Sequence, residues 1–287
     1  MGSPMASHLT REHTVCVHNR TRTKAQAWLT QQAPSDTHSI AQTAKAAAQF
    51  ADVLLCCVND DEQAQAVFIQ DENAVIKADC PPALVIDHSS AAADTSQRIA
   101  EQLAARNIRF LDAPVSGGEE GAKQGTLTIM CGGAREDFLT AQPIMQSYAK
   151  HIKHIGPTGS GQLCKLVNQV CVAGVLQGLA EGMHLAEQAG LDLETVFSTI
   201  GQGAAGSWQM QNRYTTMAKG EYDFGFAIDL MRKDLSNTLK EANRLGAALP
   251  ITSLVDQFYA KLQTLNGGNW DTSALIETLR HKEPTHA

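Results

Sequence analysis

The sequence predicts a protein of the α/β class: a doubly wound domain over residues 1–157, followed by an all-α domain over residues 158–287. Up to about residue 155, short apolar and β-branched runs alternate with stretches of helical periodicity, which is typical of a parallel or mostly parallel sheet with helices on both faces. From residue 162 to residue 190 a helical pattern carries only three formal charges, and every later segment reads as helical. A length of 287 residues suits two domains of roughly 100–200 residues each.

The predicted elements follow in chain order. A first helix begins near Pro4, a residue that suits the first helical position, and covers residues 5–9. Strands of the first domain are predicted at residues 14–18, 53–58, 84–87, 108–111, 127–131 and 152–155, and its other helices at residues 23–32, 40–50, 62–69, 95–105 and 136–149. After the long helix at residues 162–190, helices are predicted at residues 193–200, 207–218, 235–245, 252–264 and 273–279. A long helix with so few charges should be buried against a second lobe or a neighbouring subunit, which predicts a homodimer or homotetramer.

Composition and charge argue against several classes of function. The 23 Lys and Arg against 30 Asp and Glu give a net charge of −7 without a basic block, so no nucleic-acid partner is expected. The longest apolar run, residues 51–58, is broken by Asp52 and is too short for a membrane helix. Residues 11–13 are polar or charged where a signal peptide is apolar. The seven cysteines form no C-x-x-C pair, so we expect no zinc site, no redox dithiol and no bound metal. Their odd number and their places in mostly apolar runs are typical of the reducing cytoplasm, where we expect the protein.

The start of the chain differs from that of a dinucleotide-binding domain. Such a domain opens with a strand, a G-x-G-x-x-G loop and a helix, and the glycines let the backbone approach the pyrophosphate. Here the residues MGSP lead directly into the first helix, and no strand and no pair of glycines stands before Gly2. We therefore expect the first domain to be truncated at its N-terminus.

Loops that follow predicted strands carry candidate ligand-binding residues, because ligands of open α/β sheets lie beyond the carboxyl ends of the strands. After the first strand, Asn19, Arg20 and Thr21 occupy the place where an acid would bind a ribose 2′-hydroxyl and an arginine would match a 2′-phosphate. Arg20 is equally typical of a solvated turn. Val58 and Ser90 lie in the loops after the next two strands, where each could also be an ordinary turn residue.

A Ser-Gly-Gly turn follows the strand at residues 108–111, within the sequence DAPVSGG at residues 112–118. Two consecutive glycines, Gly117 and Gly118, allow backbone N–H groups to converge on an anion, and the Ser116 hydroxyl is a further donor. The turn therefore predicts a carboxylate-binding site, and the alternative is a plain glycine turn.

Lys165 is the candidate general acid and base. It lies one turn inside the long helix, and Asn168, three residues further on, faces the same side. The surrounding residues are apolar, namely Leu163, Leu166, Val167 and Val170. We expect this setting to desolvate Lys165 and to lower its pKa toward neutrality, the range that proton transfer needs. Lysines at helix starts are common, so the spacing alone does not establish catalysis.

Four segments resemble motifs of the β-hydroxyacid dehydrogenase family, which includes 3-hydroxyisobutyrate dehydrogenase and tartronate semialdehyde reductase. MGSPMASHL at residues 1–9 resembles the second half of the opening motif G-L-G-x-M-G-x-P-M-A-x-x-L, and DAPVSGG resembles the substrate-binding motif. GSGQLCKLVNQ at residues 159–169 resembles G-x-G-x-x-x-K-x-x-N, and FGFAIDLMRKDL at residues 224–235 resembles F-x-x-x-L-x-x-K-D-L. The motifs keep the family's order and spacing over almost the whole chain, residues 2–279.

The resemblance implies a Rossmann-like first domain and an NAD(P)-dependent 3-hydroxyacid dehydrogenase, or equally a reductase of the corresponding semialdehyde. It implies that Lys165 exchanges a proton with the substrate while Asn168 binds the substrate. The turn at residues 116–118 would hold the substrate carboxylate. Ser207 and Trp208 would line the substrate pocket, although Trp208 could as easily belong to the core.

The resemblance also implies a set of cofactor-binding residues. Gly2 would be the third glycine of the fingerprint, residues 19–21 would lie at the adenosine ribose, and Val58 and Ser90 would lie at the nicotinamide half. Arg20 without a neighbouring acid favours NADP over NAD. Lys233 would reach across the interdomain cleft to the cofactor and the substrate carboxylate, unless it is a solvated lysine before a helix that starts at Asp234.

Three explanations of the missing N-terminal strand stay open. The missing first strand and glycines could mean a non-catalytic scaffold of the same fold that has lost tight cofactor binding, a misassigned start codon or a truncated gene. Imine reductases share the architecture, but their proton donor is typically not a lysine, so Lys165 favours hydroxyacids. The decarboxylating 6-phosphogluconate relatives carry a histidine beside the lysine, and this sequence does not.

Overall fold

A computed structural model describes residues 1–32 and 37–280. The chain divides into two compact units, Met1–Lys165 and Leu166–Ala287. The boundary between these units falls inside a helix, whereas the sequence places the domain division after residue 157.

The first unit alternates helices and strands. Its helices are α1 (Gly2–Leu9), α2 (Arg22–Gln31), α3 (Ala44–Phe50), α4 (Asp61–Gln65), α5 (Ala93–Ala104), α6 (Gly118–Gln124) and α7 (Arg135–Met145). Its strands are β1 (Cys16–Val17), β2 (Ser39–Ile40), β3 (Val53–Cys56), β4 (Leu84–Asp87), β5 (Arg109–Asp112), β6 (Val115–Ser116), β7 (Leu127–Gly132) and β8 (Ala149–Gly156). A π-helical turn, Ala66–Gln70, continues α4, and a 3-10 turn covers Val75–Lys77.

The main sheet has six strands. Strands β3, β4 and β5 are parallel neighbours, β5 pairs antiparallel with β7, and β7 pairs antiparallel with β6 and parallel with β8. Strands β1 and β2 pair in parallel with each other as a separate two-stranded sheet. The α/β class is confirmed, but the main sheet is mixed. Because β8 occupies one edge of β7, both β5 and β6 lie along its other edge.

Strand β4 shows why the predicted strands are continuously apolar. Leu84 and Ile86 belong to a core cluster on one face of the sheet, and Val85 belongs to a cluster on the other face. All four residues of β4 are buried. Helices therefore cover both faces of this strand, as the apolar run predicts.

The second unit is helical. The 29-residue helix α8 (Ser160–Gln188) begins in the first unit and continues into the second, followed by α9 (Leu193–Ile200), α10 (Trp208–Lys219), α11 (Ile228–Leu245), α12 (Pro250–Thr264) and α13 (Glu277–Arg280). Two 3-10 turns, Gly267–Asn269 and Thr272–Ile276, precede α13. Apolar residues of α8 form part of the core of this unit, namely Ala173, Leu176, Leu179, Ala180 and Met183.

Several element predictions need correction. Residues 39–40 form strand β2 rather than the start of a helix, because the Thr43 side chain accepts a hydrogen bond from the Ala46 N–H and caps α3 there. The structure adds β6 and α6, which the sequence did not indicate. Helix α11 starts at Ile228, so Asp234 lies inside the helix and does not start it.

Within the described part of the chain, one helix, α8, is long and apolar enough to cross a membrane by length and composition alone. An 18-residue window can be apolar on average without an uninterrupted apolar run, so α8 meets this criterion although the longest apolar run of the sequence is short. In this helix 44% of that window is buried inside the protein, and the core helix of a soluble protein meets the same criteria.

Candidate functional site

The carboxyl ends of the parallel strands β3, β4 and β5 lie side by side. In this register Cys56 pairs with Asp87, and Asp87 pairs with Asp112. The loops that follow β3 and β4 contain Val58 and Ser90, at the sheet edge where α/β proteins bind ligands. The turn at residues 116–118 follows β6, where Ser116 pairs with Thr128 of β7, four residues before the Gly132 that pairs with Asp112.

The start of helix α8 is attached to the end of β5. The Asp112 carboxylate accepts hydrogen bonds from the N–H groups of Gly159, at 2.7 Å, and Gln162, at 2.9 Å. A Cβ atom on Gly161 would lie 2.6 Å from the Asp112 carbonyl oxygen, so this close approach requires glycine. Burial raises the pKa of Asp112 to about 6, while these N–H donors act in the opposite direction.

Lys165 lies one turn after this anchored start. Lys165 is only 7% exposed, in agreement with the predicted desolvation. Asn168 follows three residues later on the same helix and is half-buried. Val167 is 64% exposed, so the prediction that it surrounds Lys165 was wrong.

Asn168 belongs to a chain of hydrogen bonds in the second unit. Its Nδ2 donates to Gln169 Oε1 at 2.8 Å, and Gln169 Nε2 donates to Asp234 Oδ2 at 2.7 Å. Because the Asp234 carboxylate only accepts, Gln169 must present its NH2 group to Asp234 and its oxygen to Asn168. The orientation of the Asn168 amide is thereby fixed. Lys233 forms an ion pair with the other oxygen of Asp234 at 3.0 Å, so Lys233 is not simply solvated.

The Ser-Gly-Gly turn connects β6 to α6. Ser116 ends β6 opposite Thr128 of β7. Gly117 and Gly118 have φ angles of 127° and 64°, values that L side chains rarely adopt. A Cβ atom on Gly118 would meet nothing within 4 Å, so the turn borders open space. This geometry suits two N–H groups that bind an anion.

The predicted cofactor positions of the first unit fall into two groups. Gly2, the first residue of α1, lies beside the end of β3, where a Cβ atom added to this glycine would lie 3.7 Å from Cys57 Cβ. Val58, in the adjoining loop, donates its N–H to Ser89 Oγ at 2.9 Å. Asn19 Oδ1 accepts from the Thr21 N–H at 2.8 Å in the exposed turn after β1.

These positions fit a dinucleotide. The N-terminus of α1 offers backbone N–H groups to a phosphate close to the ends of the parallel strands. Arg20, exposed in the turn before α2, offers a positive charge. Lys233 lies in the second unit.

The predicted pocket residues Ser207 and Trp208 lie at the start of α10. Ser207 Oγ accepts from the Met210 N–H at 3.0 Å and so caps this helix. Trp208 is 56% exposed, which rules out a core position. The Arg213 guanidinium lies 5.0 Å from the centre of its ring and is held at 3.3 Å by Asp271.

The His88 side chain, to which sequence reasoning gave no role in the site, holds one of these loops. His88 Nδ1 donates to the Ala113 carbonyl at 2.7 Å, and its Nε2 accepts from the Tyr148 hydroxyl at 2.9 Å. Burial lowers the pKa of His88 to about 4, so the ring is neutral and keeps this one tautomer. The available signal was a polar residue directly after an apolar strand.

Within residues 1–32 and 37–280, no group of three or more His, Cys, Asp or Glu side chains could hold a metal ion.

Comparison with known proteins identifies the family of this chain. Residues 1–156 match the NAD binding domain of 6-phosphogluconate dehydrogenase, and residues 159–279 match the family described as NAD-binding of NADP-dependent 3-hydroxyisobutyrate dehydrogenase. The chain belongs to the β-hydroxyacid dehydrogenase family. It is therefore a dehydrogenase-type oxidoreductase that uses a nicotinamide dinucleotide, with a Rossmann-like domain followed by a helical domain.

Individual relatives cover nearly the whole chain. An uncharacterized oxidoreductase of Shewanella frigidimarina is 48% identical over 97% of this chain and 94% of its own. The 2-hydroxy-3-oxopropionate reductase of Escherichia coli is 33% identical over 83% of this chain and 81% of its own. The solved 3-hydroxyisobutyrate dehydrogenase of Salmonella typhimurium has a TM-score of 0.84 and 28% identity, and the match covers 96% of this chain and 95% of that one.

Proposed function

We propose that this protein is an NADP-preferring dehydrogenase of small β-hydroxyacids that also works in reverse as a semialdehyde reductase. One observation carries the proposal: Lys165 is buried on a helix whose first turn is anchored to the end of strand β5. An amine held in a dry, fixed place is suited to proton transfer. The names of the reductase and dehydrogenase relatives support the same reaction class.

Seven residues are proposed to hold the cofactor: Gly2, Asn19, Arg20, Thr21, Val58, Ser90 and Lys233. When bound, the nicotinamide ring supplies or accepts the hydride. The exposed Arg20, with no acid among residues 18–21, supports NADP over NAD.

The substrate carboxylate is proposed to bind the N–H groups of Gly117 and Gly118 and the Ser116 hydroxyl. Both glycines have positive φ angles, and Gly118 borders open space, which supports this assignment. Ser207 and Trp208 are proposed to influence which substrate fits.

Lys165 then exchanges the proton. In oxidation, its neutral amine takes the hydroxyl proton as the carbinol carbon loses a hydride and becomes a carbonyl carbon. In reduction, the Lys165 ammonium donates that proton to the carbonyl oxygen as the carbon gains a hydride. Asn168 hydrogen-bonds the substrate oxygen, with its amide oriented by Gln169.

We further propose that the protein is cytoplasmic, assembles as a homodimer or homotetramer, and binds neither metal, nucleic acid nor membrane. The net charge of −7 supports the absence of a nucleic-acid partner. A non-catalytic scaffold and an imine reductase are the alternatives, and a substrate screen separates them.

The screen uses NADP⁺ and NAD⁺, and NADPH and NADH in the reducing direction. It covers 3-hydroxyisobutyrate, glycerate, serine, tartronate semialdehyde, succinic semialdehyde and a cyclic imine. We expect turnover of at least one hydroxyacid or semialdehyde, with NADP(H) preferred. We expect Arg20→Ala to reduce that preference, whereas Arg98→Ala, at an exposed arginine of α5, should not.

Turnover of the imine alone would contradict the proposed substrate class. If the protein neither changes the fluorescence of NADPH nor turns over any substrate, the non-catalytic scaffold is favoured.

A further inference from the structure

Gln162 holds the loop that follows strand β4. It lies in the first turn of α8 and is 1% exposed. Its Nε2 donates to the Ser89 carbonyl at 2.8 Å, and its Oε1 accepts from the Ala91 N–H at 3.1 Å. One side-chain amide thus grips the backbone on both sides of Ser90.

The chemistry of the partners permits only one orientation of this amide. A backbone carbonyl can only accept and a backbone N–H can only donate, so a flipped amide would lose both hydrogen bonds. Gln162 is also anchored through its own N–H, which donates to Asp112. The backbone of this helical turn is therefore attached to the end of β5 and its side chain to the loop after β4.

Ser89 links the loop held by Gln162 to a second loop, the one that follows β3. Its Oγ accepts from the Val58 N–H at 2.9 Å, and its N–H donates to Asp87 Oδ1 at 3.0 Å. Val58 and Ser90, the two positions proposed to lie at the nicotinamide half, are thus both attached to the segment that Gln162 holds. Lys165 follows Gln162 by three residues on the same helix.

We propose that Gln162 is a positioning residue that fixes the loops of Val58 and Ser90 relative to the Lys165 amine. The role rests on the proposed function, because it matters for catalysis only if these residues face the reacting groups. Hydride and proton transfer need the cofactor and the Lys165 amine at matched positions around the substrate. Misplacing either group by about 1 Å can lower the rate by about 100-fold. Neither of the two side-chain hydrogen bonds described for Gln162 goes to the carboxylate turn at residues 116–118, so substrate KM should change little.

Two variants test the role. Gln162→Met keeps the length of the side chain and removes both hydrogen bonds. We expect kcat to fall by about 10-fold to 100-fold with substrate KM nearly unchanged. Gln162→Glu keeps one acceptor for the Ala91 N–H, but its ionised carboxylate repels the Ser89 carbonyl.

When protonated, the carboxyl introduced by Gln162→Glu can donate to the Ser89 carbonyl and accept from Ala91, as the amide does. The kcat of Gln162→Glu should therefore recover toward the wild-type value as pH falls, whereas the kcat of Gln162→Met should not. Because an ionised buried carboxylate also lowers stability, the two variants are compared at pH values where both are folded, so that a role limited to stability leaves their pH profiles alike.

The matched control is Gln97→Met. Gln97 is exposed and also donates to a loop carbonyl near α8, that of Thr158, at 3.2 Å. We expect this variant to keep the wild-type kcat and pH profile.

A second measurement is made without cofactor or substrate. Hydrogen exchange followed by mass spectrometry should show faster exchange at residues 88–92 in Gln162→Met than in the wild type or Gln97→Met. Unchanged exchange at these residues would overturn the claim that the Gln162 side chain holds this loop, regardless of the enzymatic activity of the variant. The positioning role would be overturned by a wild-type kcat in Gln162→Met or by identical pH profiles in the two Gln162 variants. Inactivity of the wild type would instead overturn the proposed function.

Discussion

Asp87 is a carboxyl group that the fold keeps away from water. It is fully buried at the end of β4, where Oδ1 accepts from the Ser89 N–H and Oδ2 has no hydrogen-bond partner among the described residues. Burial raises the pKa of Asp87 from its ordinary 3.8 to about 7, a net value in which the hydrogen bonds from Ser89 act downward and the nearby charges of Asp112 and Asp61 act upward. The folded protein therefore holds a proton here that the unfolded chain releases.

This proton makes stability depend on pH. Because the folded state binds more protons than the unfolded state between about pH 4 and pH 7, Asp87 lowers stability as pH rises through that window, by at most about 1.4 kcal/mol per pH unit. Asp87→Asn cannot ionise and should escape this loss. We expect its free energy of unfolding, relative to wild type, to increase from pH 5 to pH 8 in urea titrations.

The control for this prediction is Asp52→Asn, at an exposed position just before β3. Its difference from the wild type should stay constant with pH. A constant difference for Asp87→Asn as well would show that the carboxyl is already ionised at pH 5.

Single residues were predictable only where their chain neighbours decide the outcome. The burial of Lys165 could be anticipated because its helix is apolar. The role of Gln162 could not, because its partner Ser89 lies 73 residues earlier in the chain. The hydrogen bond from Asn168 to Gln169 likewise depends on the distant Asp234.

At the scale of elements, prediction succeeds where burial imposes a pattern. Strand β4 has its predicted bounds, because burial on both faces makes every residue apolar up to Asp87. Strands β2 and β6 have two residues each, too few to show a period. Helix α6, with the sequence GEEGAKQ, has two glycines and no apolar stripe, so its sequence carries no helical pattern.

Helix α8 connects the elements of the site. Its 29 residues follow from an apolar, nearly uncharged sequence, and its start follows from the glycines at residues 159 and 161. The sequence did not show that Asp112 binds the first N–H groups of this helix, although both motifs were recognised. The contact joins two motifs that are 47 residues apart.

At the scale of the whole molecule, α8 presents an apolar face that residues 1–32 and 37–280 leave exposed. Val167, Val175 and Leu185 are 64%, 41% and 70% exposed, and they recur at helical spacing along the second unit. Between them lie the exposed Gly178 and Gly182, where an added Cβ atom would meet nothing within 4 Å. Burying such a face stabilises association, which supports the proposed homo-oligomer.

Sedimentation velocity at micromolar concentration tests this proposal. We expect the wild type to sediment as a dimer or tetramer of the 30.8 kDa chain. Leu185→Glu should shift it toward the monomer, because the charge would be buried in the interface. Leu139→Glu changes a leucine of α7 that is 54% exposed and should leave assembly unchanged. A wild type that sediments as a monomer would contradict the proposed assembly.

The most direct test of the proposed mechanism is the rate of hydride transfer in Lys165→Ala under single-turnover conditions, with the preferred cofactor and substrate. We expect the rate to fall by about 10²-fold to 10⁴-fold, because the proton acceptor and donor is lost. The dissociation constant for NADPH should change little, and Lys150→Ala, at an exposed lysine of β8, should match the wild type. Retention of most of the wild-type rate in Lys165→Ala would contradict the central role given to this amine.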